Sequence, residues 1–134
     1  MNLKLVLQLS LFGLIMAFAT VSLIPEKLEF IFWIIIFAFV GYVLAKVGTG
    51  KYFWHGFMVS IFNSIWLVAV HLMFFDSYIA HHPDMSKMNE GVSYFATHPR
   101  MFMLITAVPF GIFFGLFQGV FAWIASKLVK PRVV

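Results

Sequence analysis

Cysteine is absent from the 134 residues, which excludes disulfide frameworks, thiolate metal centres and cysteine nucleophiles. Charge is nearly as scarce. Asp, Glu, Lys and Arg make up 10% of the chain, against about 25% in ordinary soluble domains, so water cannot be the main solvent for its surface. Neither a Gly-x-Ser-x-Gly elbow nor a phosphate loop occurs, so no local signature of a serine hydrolase or nucleotide binder is present. The net charge of +4 does not point to nucleic acid, because the basic residues sit at the ends of apolar runs, where membrane topology accounts for them. What is abundant is apolar: 63% of residues are hydrophobic and the mean hydropathy is +0.99.

That apolar content falls into four stretches, at 3–24, 28–45, 52–75 and 101–126. Each approaches the roughly 20 residues that a helix needs to cross a hydrocarbon core of about 30 Å. None alternates with period two, and open sheet edges do not survive in lipid. The expected fold class is therefore all-α: one domain, residues 1–134, forming a polytopic four-helix transmembrane bundle in the lipid bilayer. Lys4 followed by an apolar run ending at Ala17-Phe18-Ala19 has the outline of a secretory signal, but is read here as the first membrane helix. Pro25-Glu26-Lys27 and Lys46 to Lys51 form short turns. Residues 76–100 form the one long loop, with a short interfacial helix expected near Met85 to Phe95.

Charge gives the bundle a direction. Lys4, Lys46, Lys51, Lys127, Lys130 and Arg132 occupy the N-terminus, the second connection and the C-terminus, whereas Glu26, Glu29, Asp76, Asp84 and Glu90 lie at the first and third connections. The positive-inside rule then predicts both termini in the cytoplasm, N-in/C-in, with the long loop outside. Tyr52 and Tyr78 flank the third span, and two of Trp33, Trp54, Trp66 and Trp123 lie near span ends, as interfacial belts require.

The spans differ in what they offer one another. In the third, Gly56, Ser60, Asn63, Ser64 and His71 share an arc of roughly 100°. In the fourth, Gly111, Gly115 and Gly119 form a glycine zipper with Gln118, Ala122 and Ser126 on the same face. Small residues at this spacing let backbones approach, and amides can then hydrogen-bond across, so these two spans are the expected contact pair. Gly56-x-x-x-Ser60-x-x-Asn63-Ser64 also matches Gly111-x-x-x-Gly115-x-x-Gln118-Gly119 position for position, and Gly13-x-x-x-Ala17-x-x-Thr20 is a looser version. Plain packing and an internal duplication both account for the match. Pro109 predicts a kink in the fourth helix.

Candidate chemistry is thin. His71 lies in the outer half of the third span, where an ionisable residue is a functional hypothesis by default, although a neutral imidazole can simply bond a neighbouring helix. His55 is expected to snorkel to the headgroups. His81, His82, Asp84 and His98 crowd the outer loop as a possible zinc-type donor set, against the plainer reading of a solvated loop. His55 and His71 lie at different depths, so no haem pair forms within one chain. No cofactor and no catalytic set is expected. No acid is expected inside a span, which speaks against proton-coupled antiport.

The run Gly41-Tyr42, Gly50-Lys51-Tyr52-Phe53, Gly56-Phe57, then Asp76 and Pro83-Asp84, then the glycine-rich last span, resembles the large bacterial family of small four-helix membrane proteins designated domain of unknown function 4199. The resemblance covers the last two-thirds of the chain. It implies an all-α protein of the bacterial inner membrane and assigns no activity. Packing features without a charged site favour a non-enzymatic accessory or scaffolding subunit, as a homo-oligomer or beside a larger membrane-protein partner. The alternative is an oligomeric channel or transporter lined by Ser60, Asn63, Ser64, His71, Gln118 and the zipper glycines.

Overall fold

A computed structural model describes residues 1–48, 50–91 and 93–130. Thr49, Val92 and residues 131–134, which include Arg132 of the charge pattern, lie outside the described residues, as does the Asn89 side chain. All regular structure among the described residues is helical: α1 (Leu3–Ser22), α2 (Glu26–Val47), α3 (Tyr52–Met73), α4 (Phe75–His81), α5 (Pro83–Glu90), α6 (Ser93–Thr97) and α7 (Pro99–Leu128). Four of these, α1, α2, α3 and α7, are long and apolar enough to cross a membrane. At 1.5 Å per residue they measure about 30 to 45 Å.

Local chemistry sets the ends. The Asn2 side chain accepts the Leu5 N–H at 3.1 Å and caps α1, satisfying one of the donors that a helix start leaves open. Pro25, in extended backbone, precedes α2, whose first turn carries Glu26 and Glu29 at the positive end of the helix dipole. Gly50 (φ 102°) and Lys51 (φ 50°) turn the chain between α2 and α3, and Gly50 takes that conformation without a Cβ clash. Pro83 and Pro99 open α5 and α7, at a position where the missing N–H has no helical partner to lose. The single loop helix expected near Met85 to Phe95 is in fact two, α5 and α6, and α4 precedes them. The last helix is longer than expected and passes through Pro109, whose ring leaves the Ile105 carbonyl without its ladder donor.

Helix α3 packs most extensively against α7, next against α1, and α2 packs against α7. The helices form two parallel pairs. Along α1 and α3, Asn2 meets His55, Gly13 meets Asn63 and Thr20 meets His71. Along α2 and α7, Phe37 meets Gln118 and Gly41 meets Phe121. The pairs run antiparallel to each other, with Gly56 against Gln118 and Ala122, and Gly111 against Ser64. This arrangement accounts for the matched motifs of α3 and α7: in an antiparallel contact, the glycine of each helix receives the polar turn of the other. The α1, α2, α3 and α7 ends therefore divide into a terminal end, carrying both termini and the α2–α3 turn, and a loop end carrying α4 to α6.

The core is built of Val6, Leu9, Val40, Leu44, Val59 and Ala122. Outside it the surface stays apolar: Ile15, Phe30, Ile35 and Val108 are each at least 60% exposed. Apolar exposure on this scale is compatible with a bundle whose long helices cross a membrane. Some buried polar groups bond between helices, others within their own. Trp66 Nε1 donates to Ser10 Oγ at 3.1 Å, and the Asn63 amide nitrogen donates to the Ser10 and Val59 carbonyls at 3.1 and 3.3 Å.

Candidate functional site

At the loop end, four helices bring five side chains together. Helix α3 ends at Phe74, whose backbone (φ −111°, ψ 37°) breaks the spiral before α4 restarts at Phe75. The break folds α4 back so that the Tyr78 ring stacks on His71, with centroids 4.0 Å apart and planes 20° apart. His82, one turn beyond Tyr78, stacks on the other face of the same ring at 4.0 Å and 21°. Its Nδ1–H donates to the Tyr78 carbonyl at 2.8 Å, which turns Nε2 toward Glu29 Oε1, 2.5 Å away on α2. At the inner end of the stack, Thr20 on α1 donates its hydroxyl to the Met16 carbonyl at 2.8 Å. Its oxygen therefore accepts from His71 Nε2–H, also at 2.8 Å.

The electrostatics follow from this geometry. Burial opposes a charge on His82, but the Glu29 hydrogen bond, the Tyr78 carbonyl and the Glu29 and Glu26 charges outweigh it and raise the His82 pKa. Burial, reinforced by Glu29 and then Glu26, holds the Tyr78 phenol above its ordinary range. The raised His82 pKa favours an imidazolium paired with Glu29 and lying on the Tyr78 ring, a geometry in which the ring face also attracts the cation. Rings stacked face to face offer no proton path between their nitrogens. The arrangement ties α4 to α2 through His82 and Glu29, and to α3 and α1 through His71 and Thr20.

Beside these contacts, α2 and α3 touch little, which leaves a cleft of about 370 Å³ bounded by α2, α3 and α7. Glu26, Glu29, Trp33, His71, Tyr78 and Thr106 are among its walls. A smaller cavity of about 60 Å³ shares Trp33, Ser64, Leu67 and Phe114 with it and reaches Ser60 and Asn63. Clefts of a few hundred cubic ångströms with apolar walls and a few convergent polar groups are where small ligands bind.

The expected polar face is divided among different neighbours. His71 and Ser64 line the cleft, and Ser60 and Asn63 line the smaller cavity. Gln118 is fully buried and turns to α2, donating to the Phe37 carbonyl at 3.2 Å, while its Oε1 has no partner among the described residues. Each α7 glycine stands against a side chain of α3, and Gly111 also lines an outer groove between the two helices. A Cβ on Gly111 would come within 2.8 Å of Ser64 Oγ, one on Gly115 within 2.9 Å of the Phe57 ring and one on Gly119 within 2.7 Å of the Phe53 ring. A Cβ on Gly56 would lie 2.6 Å from the Gln118 carbonyl.

Three expectations require correction. The proposed metal donors His81, His82, Asp84 and His98 are not gathered. His81 and His98 are exposed and bond the Ser77 and Tyr94 carbonyls at 2.7 and 3.1 Å. Asp84 faces Lys87 at 3.6 Å, and His82 is buried on Glu29. No group of three or more His, Asp or Glu able to hold a metal ion occurs among the described residues. His55 does not snorkel: it is buried, accepting the Asn2 N–H on Nε2 and bonding the Lys51 carbonyl through Nδ1, both at 2.9 Å. Glu29 lies inside an apolar helix, half-buried against His82, so the premise that no acid enters a span does not hold.

Glu29, Tyr78 and Thr20 are the site residues that sequence reasoning missed. The Tyr78-x-x-x-His82 spacing signals one stacked face, and Glu29 three residues after Glu26 signals an acid one turn inside α2. Neither signal names its partner. No protein-family model, curated protein or solved structure matches this chain.

Proposed function

We propose that this is an integral membrane protein, with both termini in the cytoplasm and the loop end outside, that holds a small solute in the loop-end cleft. It acts as a binding or carrier unit, alone, as a homo-oligomer or as a subunit of a larger membrane assembly. The charge segregation supports the orientation, and the apolar waist of α1, α2, α3 and α7 supports the bilayer. The proposed location is the bacterial inner membrane, in keeping with the family resemblance. One observation carries the functional reading: a cleft of about 370 Å³ in which two carboxylates, an imidazole, the Tyr78 phenol and the Ser64 and Thr106 hydroxyls stand among apolar walls.

An open pore is less well supported. Ser60 and Asn63 are each 2% exposed, and beyond Ser64 the space narrows to about 60 Å³, so the cleft is a dead end in this conformation. The test uses the native lack of cysteine. Single cysteines at Ser60, Asn63 and Ser64 are treated with a water-soluble maleimide added from the loop side. The reading predicts labelling at Ser64→Cys and protection at the other two. An unreactive Ser64→Cys would refute an accessible cleft, and equal labelling of all three would favour a through-going pore.

A further inference from the structure

The cleft has a second side. On the outward face of the same two helices, α3 and α7 enclose an apolar groove of about 470 Å³, with Ile65, Leu72, Leu104 and Val108 on its rim. Ser64, Val68 and Ala107 line both spaces. The wall between cleft and groove is therefore one layer of side chains, with a hydroxymethyl and a methyl group at its thinnest points. Gly111 draws α7 onto Ser64, and one turn nearer the loop end Ala107 brings no bulk to replace that contact.

The two spaces differ in chemistry. Apart from Ser64 and Gly111 the groove is lined by alkyl side chains, and in the proposed orientation it faces lipid tails. The cleft carries two carboxylates. Glu29 is matched by His82 at 2.5 Å, whereas Glu26 has no ion-pair partner among the described residues. The cleft therefore holds an excess negative charge beside Phe30, Trp33 and Tyr78. Aromatic faces next to an unmatched carboxylate suit an organic cation and oppose an anion.

Resting on the solute-site reading above, we propose that cleft and groove form one side-entry site for a single-chain amphipathic amine. The ammonium head sits by Glu26 and Trp33, and the alkyl chain crosses the thin shared wall by parting the Val68 and Ala107 side chains. A polar head thus stays in the cleft while the chain remains in an apolar medium throughout.

The whole protein in nanodiscs of zwitterionic lipid is titrated with a dodecylammonium ion carrying a nitroxide on its head, and tryptophan quenching is followed. Saturable quenching is expected, and it should disappear in Trp33→Phe. Glu26→Gln should weaken binding about tenfold, the loss of roughly one charge-assisted contact, while Glu26→Asp retains most of it. Ala107→Phe, which thickens the shared wall, should weaken it by a similar factor. Circular dichroism confirms that each variant keeps its helices. Quenching that never saturates, equal binding of the corresponding sulfonate, or no response to Glu26→Gln overturns the proposal. Tetramethylammonium separates the two readings: if it competes as well as the long-chain amine and Ala107→Phe has no effect, the side entry fails while a solute-binding cleft stands.

Discussion

The His82 imidazole is 1% exposed and contacts Glu29 at 2.5 Å, and this single pair ties α4 to α2. Removing one partner from a largely buried, hydrogen-bonded ion pair leaves the other desolvated. Glu29→Gln and His82→Gln should each destabilise the protein by about 1–3 kcal/mol, and the double variant by less than the sum. Chemical denaturation in mild detergent measures both. The pH dependence has a definite sign. Because the His82 pKa is raised by folding, its stabilisation is fully present below the ordinary histidine value of about 6.5 and is lost as pH rises through the folded value. The difference in Tm between the natural protein and His82→Gln should therefore shrink as the pH is raised above about 6.5; a difference that grows with pH contradicts the pair. Sequence reading grouped His82 with His81 because they are adjacent. The break at Phe74 and the i, i+4 stack onto Tyr78 point the two rings to opposite environments, and such a break depends on tertiary contacts that no local pattern reports.

At the scale of helices, the glycines sort by what stands opposite them. A Cβ at Gly56 meets the Gln118 carbonyl at 2.6 Å, a backbone atom that cannot move without shifting α7. One at Gly111 meets the Ser64 hydroxyl at 2.8 Å, which can rotate, and one at Gly91 finds nothing nearer than 3.4 Å. Gly56→Ala is therefore expected to cost about 1–3 kcal/mol, Gly111→Ala under about 1 kcal/mol, and Gly91→Ala close to nothing. Thermal unfolding of the three variants gives the order, and a Gly91 effect as large as that of Gly56 would contradict the packing. Much at this scale was legible. Length and hydropathy located the four long helices to within a few residues, and the small-residue faces of α3 and α7 identified the main contact. The parallel pairing of α1 with α3 was not, because it turns on Asn63 fitting over Gly13, and an amide on a small face suits either neighbour.

For the molecule as a whole, the wide apolar surface and the segregation of charge carry the most weight. Lys46, Lys51 and Lys127 lie at the terminal end, which has no acid among the described residues, whereas Glu26, Glu29, Asp76, Asp84 and Glu90 share the loop end with Lys27, Lys87 and Arg100, so all the acids lie at one end and the net charge differs in sign between the two. The cleft opens among the acids of the loop end, which makes its accessibility a question of orientation. That cleft was not legible in the sequence: it exists because α2 leans onto α7 and away from α3, a choice made by Gly41 against Phe121 and Gln118 against Phe37. The most direct test of the account is therefore sidedness. Asp84→Cys and Lys51→Cys, both at exposed positions, are expressed separately in intact cells and treated with a membrane-impermeant maleimide. The account predicts that Asp84→Cys is labelled at once and Lys51→Cys only after the membrane is permeabilised. Labelling of Lys51→Cys in intact cells with protection of Asp84→Cys would place the cleft on the cytoplasmic side and contradict it.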